Sequence, residues 1–311
     1  MENLLKLFGV SCYENQTAEY IYNQAKSLAD QIEIDTMGNV IALKKGSAPE
    51  TKVMLMTSID HKGFMLTVKD GKVFRFGGIG THDASLLPGQ VVEFENGAKG
   101  IIGTDADEDI KLKNLYVDIF EKTAEAGDIF TCCDTPVIND RYITSGRLSA
   151  RVGVYVLLRV LEQLKGNKND IYFVFATHSS LAYRGSKTAS FAVEPDVAIT
   201  VGTVNATDVP CGDKNNITLD GGVAIKIKDK SILAHPYVKS ILTESAKNKG
   251  ICYQAEITGE TSEGGVVHTA KGPVMTGGIS IPVRYKGKQN EMCLKEAIEN
   301  AVKMILGCEL I

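Results

Sequence analysis

Three short apolar runs constrain this chain more than any other feature: Lys52–Met56 (KVMLM), Ile171–Phe175 (IYFVF) and Val197–Val201 (VAITV). Each run is continuous rather than alternating, the mark of a strand buried on both faces. Helical patterns lie around them. Ala18, Ile21, Tyr22, Ala25, Leu28, Ala29 and Ile32 recur at the spacing of one helix face, as do Val152, Val156, Val160 and Leu164. Pro236–Lys249 and Glu291–Leu306 read as two further helices. Strands alternating with helices imply a mostly parallel sheet flanked by helices, because a parallel neighbour is reached only by a crossover.

One stretch does not obey this pattern. Between about Gly63 and Ser145 the runs are short (Val73–Phe76, Val91–Phe94, Ile101–Ile102) and are separated by glycine and acidic turns. No helical period persists, so this is a small all-β unit, barrel or sandwich. The chain therefore divides into a discontinuous α/β domain, residues 1–64 and 146–311, and a β insert, residues 65–145.

Composition removes several classes of function. With 44% hydrophobic and 23% charged residues and a net charge of −4, nothing favours nucleic acid or an anionic membrane as partner. No apolar run is long enough to span a bilayer and no signal peptide is visible, so a cytoplasmic location is expected. Seven cysteines without a CxxC pair are expected to be free, mostly buried thiols.

In an open parallel sheet, ligands bind beyond the carboxyl ends of the strands. Those ends carry Ser58, Asp60 and His61; then His178, Ser179 and Ser180; then Gly202; and, after Ile279–Pro282, Arg284 and Gly287. Asp60, His61 and His178 are the only acid, base or ligand types among them. For Asp60 a loop hydrogen bond is the plainer expectation, and for His61 an exposed or satisfied ring. A serine nucleophile at Ser179 or Ser180 has no G-x-S-x-G elbow to support it. Arg151 and Arg184 could form an anion pocket, but local pairing is the simpler reading. Gly78, Gly80, Gly221 and Gly222 fit no phosphate-binding fingerprint. His235-Pro236 reads as a helix start, and Cys211 as a loop thiol.

Four segments then carry a resemblance. Thr57-Ser58-Ile59-Asp60-His61-Lys62-Gly63-Phe64, Ser149-Ala150-Arg151-Val152-Gly153, His178–Ser186 and Ile279-Ser280-Ile281-Pro282-Val283-Arg284-Tyr285 are similar to the signature segments of the M42 family of two-metal aminopeptidases. The likeness covers nearly the whole chain. It implies the α/β fold with an inserted small β barrel, and an insert that helps build oligomers. It also implies that Ser58, Ser149, Ser180, Gly202 and Gly287 stand where the family keeps its metal ligands, and Ser179 where it keeps its general base. Family members use two divalent metals, zinc or cobalt. Serine and glycine are poor substitutes for carboxylate and imidazole.

The resulting expectation is an M42-like protein without a cofactor and without peptidase activity. It would be kept as a binding protein for a peptide or small molecule, as a homo-oligomer, or as the partner of an active paralogue in a mixed oligomer. The alternative is a residual or altered hydrolase that uses Asp60, His61, His178 and Glu260 or Glu263, with a relocated metal or none.

Overall fold

The computed structural model describes residues 1–120, 124–210 and 215–311; Cys211 lies outside the described residues. Along the chain the strands are β1 (Gln31–Ile34), β2 (Val40–Lys44), β3 (Lys52–Ser58), β4 (Gly63–Asp70), β5 (Val73–Ile79), β6 (Val91–Phe94), β7 (Lys99–Thr104), β8 (Leu115–Ile119), β9 (Ile129–Cys132), β10 (Val137–Ile138), β11 (Tyr142–Ser145), β12 (Asp170–Ala176), β13 (Val197–Asn205), β14 (Val223–Lys228), β15 (Tyr253–Ile257), β16 (Met275–Val283) and β17 (Glu291–Leu294). The helices are α1 (Glu2–Lys6), α2 (Asn15–Ala25), α3 (Leu148–Gln163), α4 (Arg184–Val193), α5 (Pro236–Asn248), α6 (Gly264–Val267) and α7 (Lys295–Leu306).

Eight strands form one sheet in the order β1-β2-β12-β3-β13-β16-β14-β15. Its centre is parallel: β12 with β3, β3 with β13, and β13 with β16. The β1–β2, β2–β12 and β14–β16 pairs are antiparallel. The three apolar runs sit at this centre, where Val53, Leu55, Phe173, Phe175, Val197 and Ile199 are fully buried. Helix α3 packs on β3 and β13. Gly153 permits the approach, since a Cβ there would lie 2.1 Å from Thr57 Oγ1 and 2.7 Å from the Val201 carbonyl.

The insert is a closed six-strand barrel, β4-β5-β8-β7-β6-β9. Its core is aromatic: Phe130 meets Phe64, Phe76 and Phe94 with ring centroids 5.2, 5.2 and 4.9 Å away. Closure removes the exposed edges that a short open sheet would leave. β10 and β11 lie outside the barrel and form a separate sheet with β17, in the order β10-β11-β17.

Several local readings change. The first helix ends at Ala25, and Gln31–Ile34 is an edge strand paired with β2, so Ile32 packs from a strand rather than a helix. Glu291–Leu294 is a strand paired with β11, and its helix begins only at Lys295. His235 does start a helix: its ring accepts the Tyr237 N–H, ahead of Pro236 in the first turn. Of the six described cysteines, all free, Cys12 and Cys252 are exposed, against the expectation of burial.

Candidate active-site cleft

The carboxyl ends of β3, β12, β13 and β16 open into one cleft of about 550 Å³. Ser58, Ser149, Ser179, Ser180, Gly202 and Gly287 all line it, together with Asp60 and His61. Each is delivered by its element: Ser58 ends β3, Ser149 sits in the first turn of α3, Ser179 and Ser180 form a 3-10 turn after β12, Gly202 lies in β13, and Gly287 follows β16. The four other proposed residues do not line this space. Arg151 is buried beneath it and donates to the carbonyls of Leu4, Leu7 and Ile59 and to Thr17 Oγ1. Its guanidinium is pushed down to about 9, first by burial and then by Arg147. Arg284 pairs with Asp208 at 2.8 Å, and Arg184 is exposed. His178 adopts a left-handed backbone (φ 56°), and its Nδ1 meets Thr177 Oγ1 at 3.0 Å.

Asp60 and His61 are committed to the framework. Asp60 accepts the N–H groups of Ser179 (2.8 Å) and Ser180 (3.1 Å) and the hydroxyl of Ser11. His61 Nε2 accepts the Gly9 N–H at 3.1 Å, so Nδ1 carries the proton given to the Lys62 carbonyl at 2.9 Å. That neutral ring is held well below the ordinary histidine range, mainly by burial and then by Arg151 and Arg147.

Four further side chains in the cleft escaped the sequence reading. Glu291 is buried, and its two oxygens accept the N–H of Ser149 and the N–H of Gly287, both at 2.7 Å. Burial raises its pKa, against the pull of these hydrogen bonds. Lys62 donates to the Gly287 carbonyl at 2.6 Å, and burial lowers its pKa. Lys286 reaches the Thr203 carbonyl (2.8 Å) and Glu260 (2.5 Å). Lys226, buried on β14, pairs with Glu256. The one legible signal was Lys226, a charge at a buried position of the VAIKIK run.

Fold and cleft together define a peptidase-like α/β protein with an inserted barrel. The sequence matches the family model for M42 glutamyl aminopeptidase over residues 38–304, and the chain belongs to that family. A putative aminopeptidase of Acetivibrio thermocellus is 36% identical, the match spanning 98% of this chain and 97% of the relative. The solved aminopeptidase APDkam598 from the archaeon Desulfurococcus kamchatkensis is 28% identical with a TM-score of 0.93, over 98% of this chain and 92% of that one. The TET1 peptidase of Pyrococcus horikoshii, which can assemble into a tetrahedron or a large octahedral shell, has the same fold at 22% identity and a TM-score of 0.87, over 98% and 96% of the two chains.

This membership corrects the expectation of a protein without a cofactor: the family is one of metal-dependent aminopeptidases, and its divalent metals are the standing assumption for any member. At the five positions that the resemblance assigns to metal ligands, Ser58, Ser149, Ser180, Gly202 and Gly287, the side chains nonetheless do not fit two dications. Gly202 and Gly287 leave open space, with no atom of the described residues within 4 Å of where a Cβ would stand. Among the described residues no three His, Cys, Asp or Glu side chains converge as a ligand set. Three ammonium groups, Lys62, Lys226 and Lys286, share the cleft instead.

Proposed function

We propose that this aminopeptidase-like member of the M42 family takes the free end of a peptide into its cleft as a binding protein, and that hydrolysis by the family's two-metal route is silenced at the six substituted positions. One observation carries this reading. Ser58, Ser149, Ser179, Ser180, Gly202 and Gly287 come together around a cleft that remains open, so a space for a ligand is present while these positions, which the resemblance assigns to ligands and base, offer hydroxyls and bare backbone. Proton transfer by a positioned base contributes typically about 10²–10⁴ in rate, and Ser179 stands where that base would be.

A second reading is altered aminopeptidase activity with a metal held elsewhere. It is favoured by the relative named as a putative aminopeptidase at 36% identity and by the carboxylates of Glu260 and Glu263 in the cleft. A panel of aminoacyl chromogenic substrates, assayed with added cobalt or zinc and with chelator, separates the two. Thermal stabilisation by short peptides without turnover supports the binding reading. Turnover that chelator abolishes establishes the second.

The M42 fold and the shell-forming TET1 neighbour also support a homo-oligomer, with the barrel as its assembly unit. Native mass spectrometry of the whole chain and of a chain lacking Phe120, exposed on the barrel, tests this. No helix among the described residues is long and apolar enough to cross a membrane.

A further inference from the structure

Three charged side chains lie almost out of water at one edge of the eight-strand sheet. Lys226 on β14 stands in register with Glu256 on the edge strand β15. Its ammonium meets Glu256 Oε1 across 30 residues of sequence, and Asp229 Oδ2 lies 3.3 Å from the same nitrogen. Lys226, Asp229 and Glu256 are 5%, 3% and 2% exposed. Two charges stripped of water are repaid only where their remaining lone pairs and protons are satisfied. That condition fails here, because Glu256 Oε2 is buried without a hydrogen-bond partner among the described residues. Folded proteins keep very few such atoms, and each calls for an explanation.

The two carboxylates differ in how they are held. Asp229 Oδ1 accepts the N–H groups of Ser231 and Ile232 and the Ser231 hydroxyl, and Oδ2 accepts the Ser262 hydroxyl. Burial alone would raise the Asp229 pKa, but the hydrogen bonds from Ser262 and Ser231 outweigh burial and lower it, so Asp229 stays an anion. The Glu256 carboxylate has only the ammonium as partner among the described residues. For Lys226, burial pulls the pKa down, while Glu256 and then Asp229 outweigh it and raise it. A free amine forms here by handing its proton to Glu256, which removes two charges from a dry site at once.

We propose that Lys226 and Glu256 condense into an isopeptide bond, a covalent cross-link between β14 and β15, with Asp229 as the proton carrier. The ammonium passes a proton to Glu256, leaving an amine and a carboxylic acid. The amine nitrogen attacks Cδ of Glu256, and the C–N bond forms. Asp229 takes a proton from that nitrogen and returns it to a hydroxyl on Cδ; the C–O bond breaks and one water leaves. Nothing is oxidised or reduced. Two effects favour the step. The sheet register holds amine and carboxyl in contact, and well-oriented intramolecular reactions reach effective concentrations of about 10⁵–10⁸ M. The neutral amide also replaces an ion pair that is costly to bury. The released water has an exit, because Lys226 and Glu256 both line the cleft. The bond would tie down the edge strand β15, whose one neighbour in the sheet is β14, whatever the cleft binds.

Mass spectrometry of the whole chain tests it. The intact mass is expected to fall one water short of the sequence mass, and a proteolytic digest should yield a branched peptide joining the Lys226 segment to the Glu256 segment. Lys226→Arg should restore the full mass. Asp229→Asn should slow the appearance of the loss in freshly synthesised chain by about 10²-fold or more. Full mass and no branched peptide after prolonged incubation at neutral pH overturn the proposal; that result uses only the unmodified chain, so it decides even where a variant fails to fold. A loss of water that maps to other residues, or that survives Lys226→Arg, overturns the assignment to this pair. Bond formation at an unchanged rate in Asp229→Asn overturns the role given to Asp229.

Discussion

Glu291 accepts the backbone N–H of Ser149 at 2.7 Å across 142 residues of sequence, closing the first turn of α3 with a carboxylate from β17. The same side chain holds the Gly287 N–H, so one buried acid fixes two corners of the cleft. A donor cut off from solvent and left unsatisfied costs about 1–3 kcal/mol. Glu291→Ala removes the acceptor of the part-buried Ser149 N–H, while the exposed Gly287 N–H can turn to water, so the fold should lose roughly 1–3 kcal/mol, read from urea denaturation.

The pH dependence of that residue has a definite sign. Burial raises the Glu291 pKa above its ordinary value of 4.5, so folding favours the protonated form. Its contribution to stability is present in full below pH 4.5 and is lost as pH rises through the elevated folded value. Glu291→Gln, which cannot ionise, should flatten this part of the stability profile. Denaturation midpoints of both proteins from pH 4 to pH 8 check it, and parallel profiles would refute the assignment.

His61 gives the opposite slope. As a buried neutral imidazole with its pKa held below 6.5, it supports the fold above that pH and withdraws support as pH falls through the lowered folded value. His61→Gln should lose less stability than the native chain on acidification from pH 7 to pH 5. Nitrogen NMR of the ring at pH 6 is expected to show the proton on Nδ1, facing the Lys62 carbonyl.

Arg151 is a buried cation with no carboxylate partner among the described residues, held by three carbonyls and one hydroxyl. Arg151→Met leaves those acceptors unanswered. A buried neutral acceptor left unsatisfied costs about 1–3 kcal/mol, and calorimetric unfolding should show a loss of at least that order. The variant's ligand affinity should remain unchanged, because the side chain does not line the cleft.

The parts of the fold legible in the sequence were those with strong local periodicity. The runs that became β3, β12 and β13 are fully apolar because both faces of the sheet are covered, and no tertiary knowledge is needed to see that. β1 was hidden because Gln31–Ile34 continues the apolar spacing of α2 by accident; pairing with β2 decides its state. β17 was hidden for the same reason, being four residues fused to the helical pattern of α7. In the cleft, strand ends named Ser58, Asp60, Ser180 and Gly202, since topology alone puts them there. Glu256 and Glu291 were illegible because their meaning lies in pairings between strands distant in sequence.

Gly202 and Gly287 differ in how easily they would accept a side chain. At Gly202 the surrounding space is empty and the backbone sits in an ordinary strand, so an acidic side chain could be grafted there without steric objection. Gly287 is also uncrowded, but its φ of +78° is one that a branched or aromatic residue adopts only with strain. Building a new side chain into the cleft is therefore cheap at one corner and demands a remodelled turn at the other.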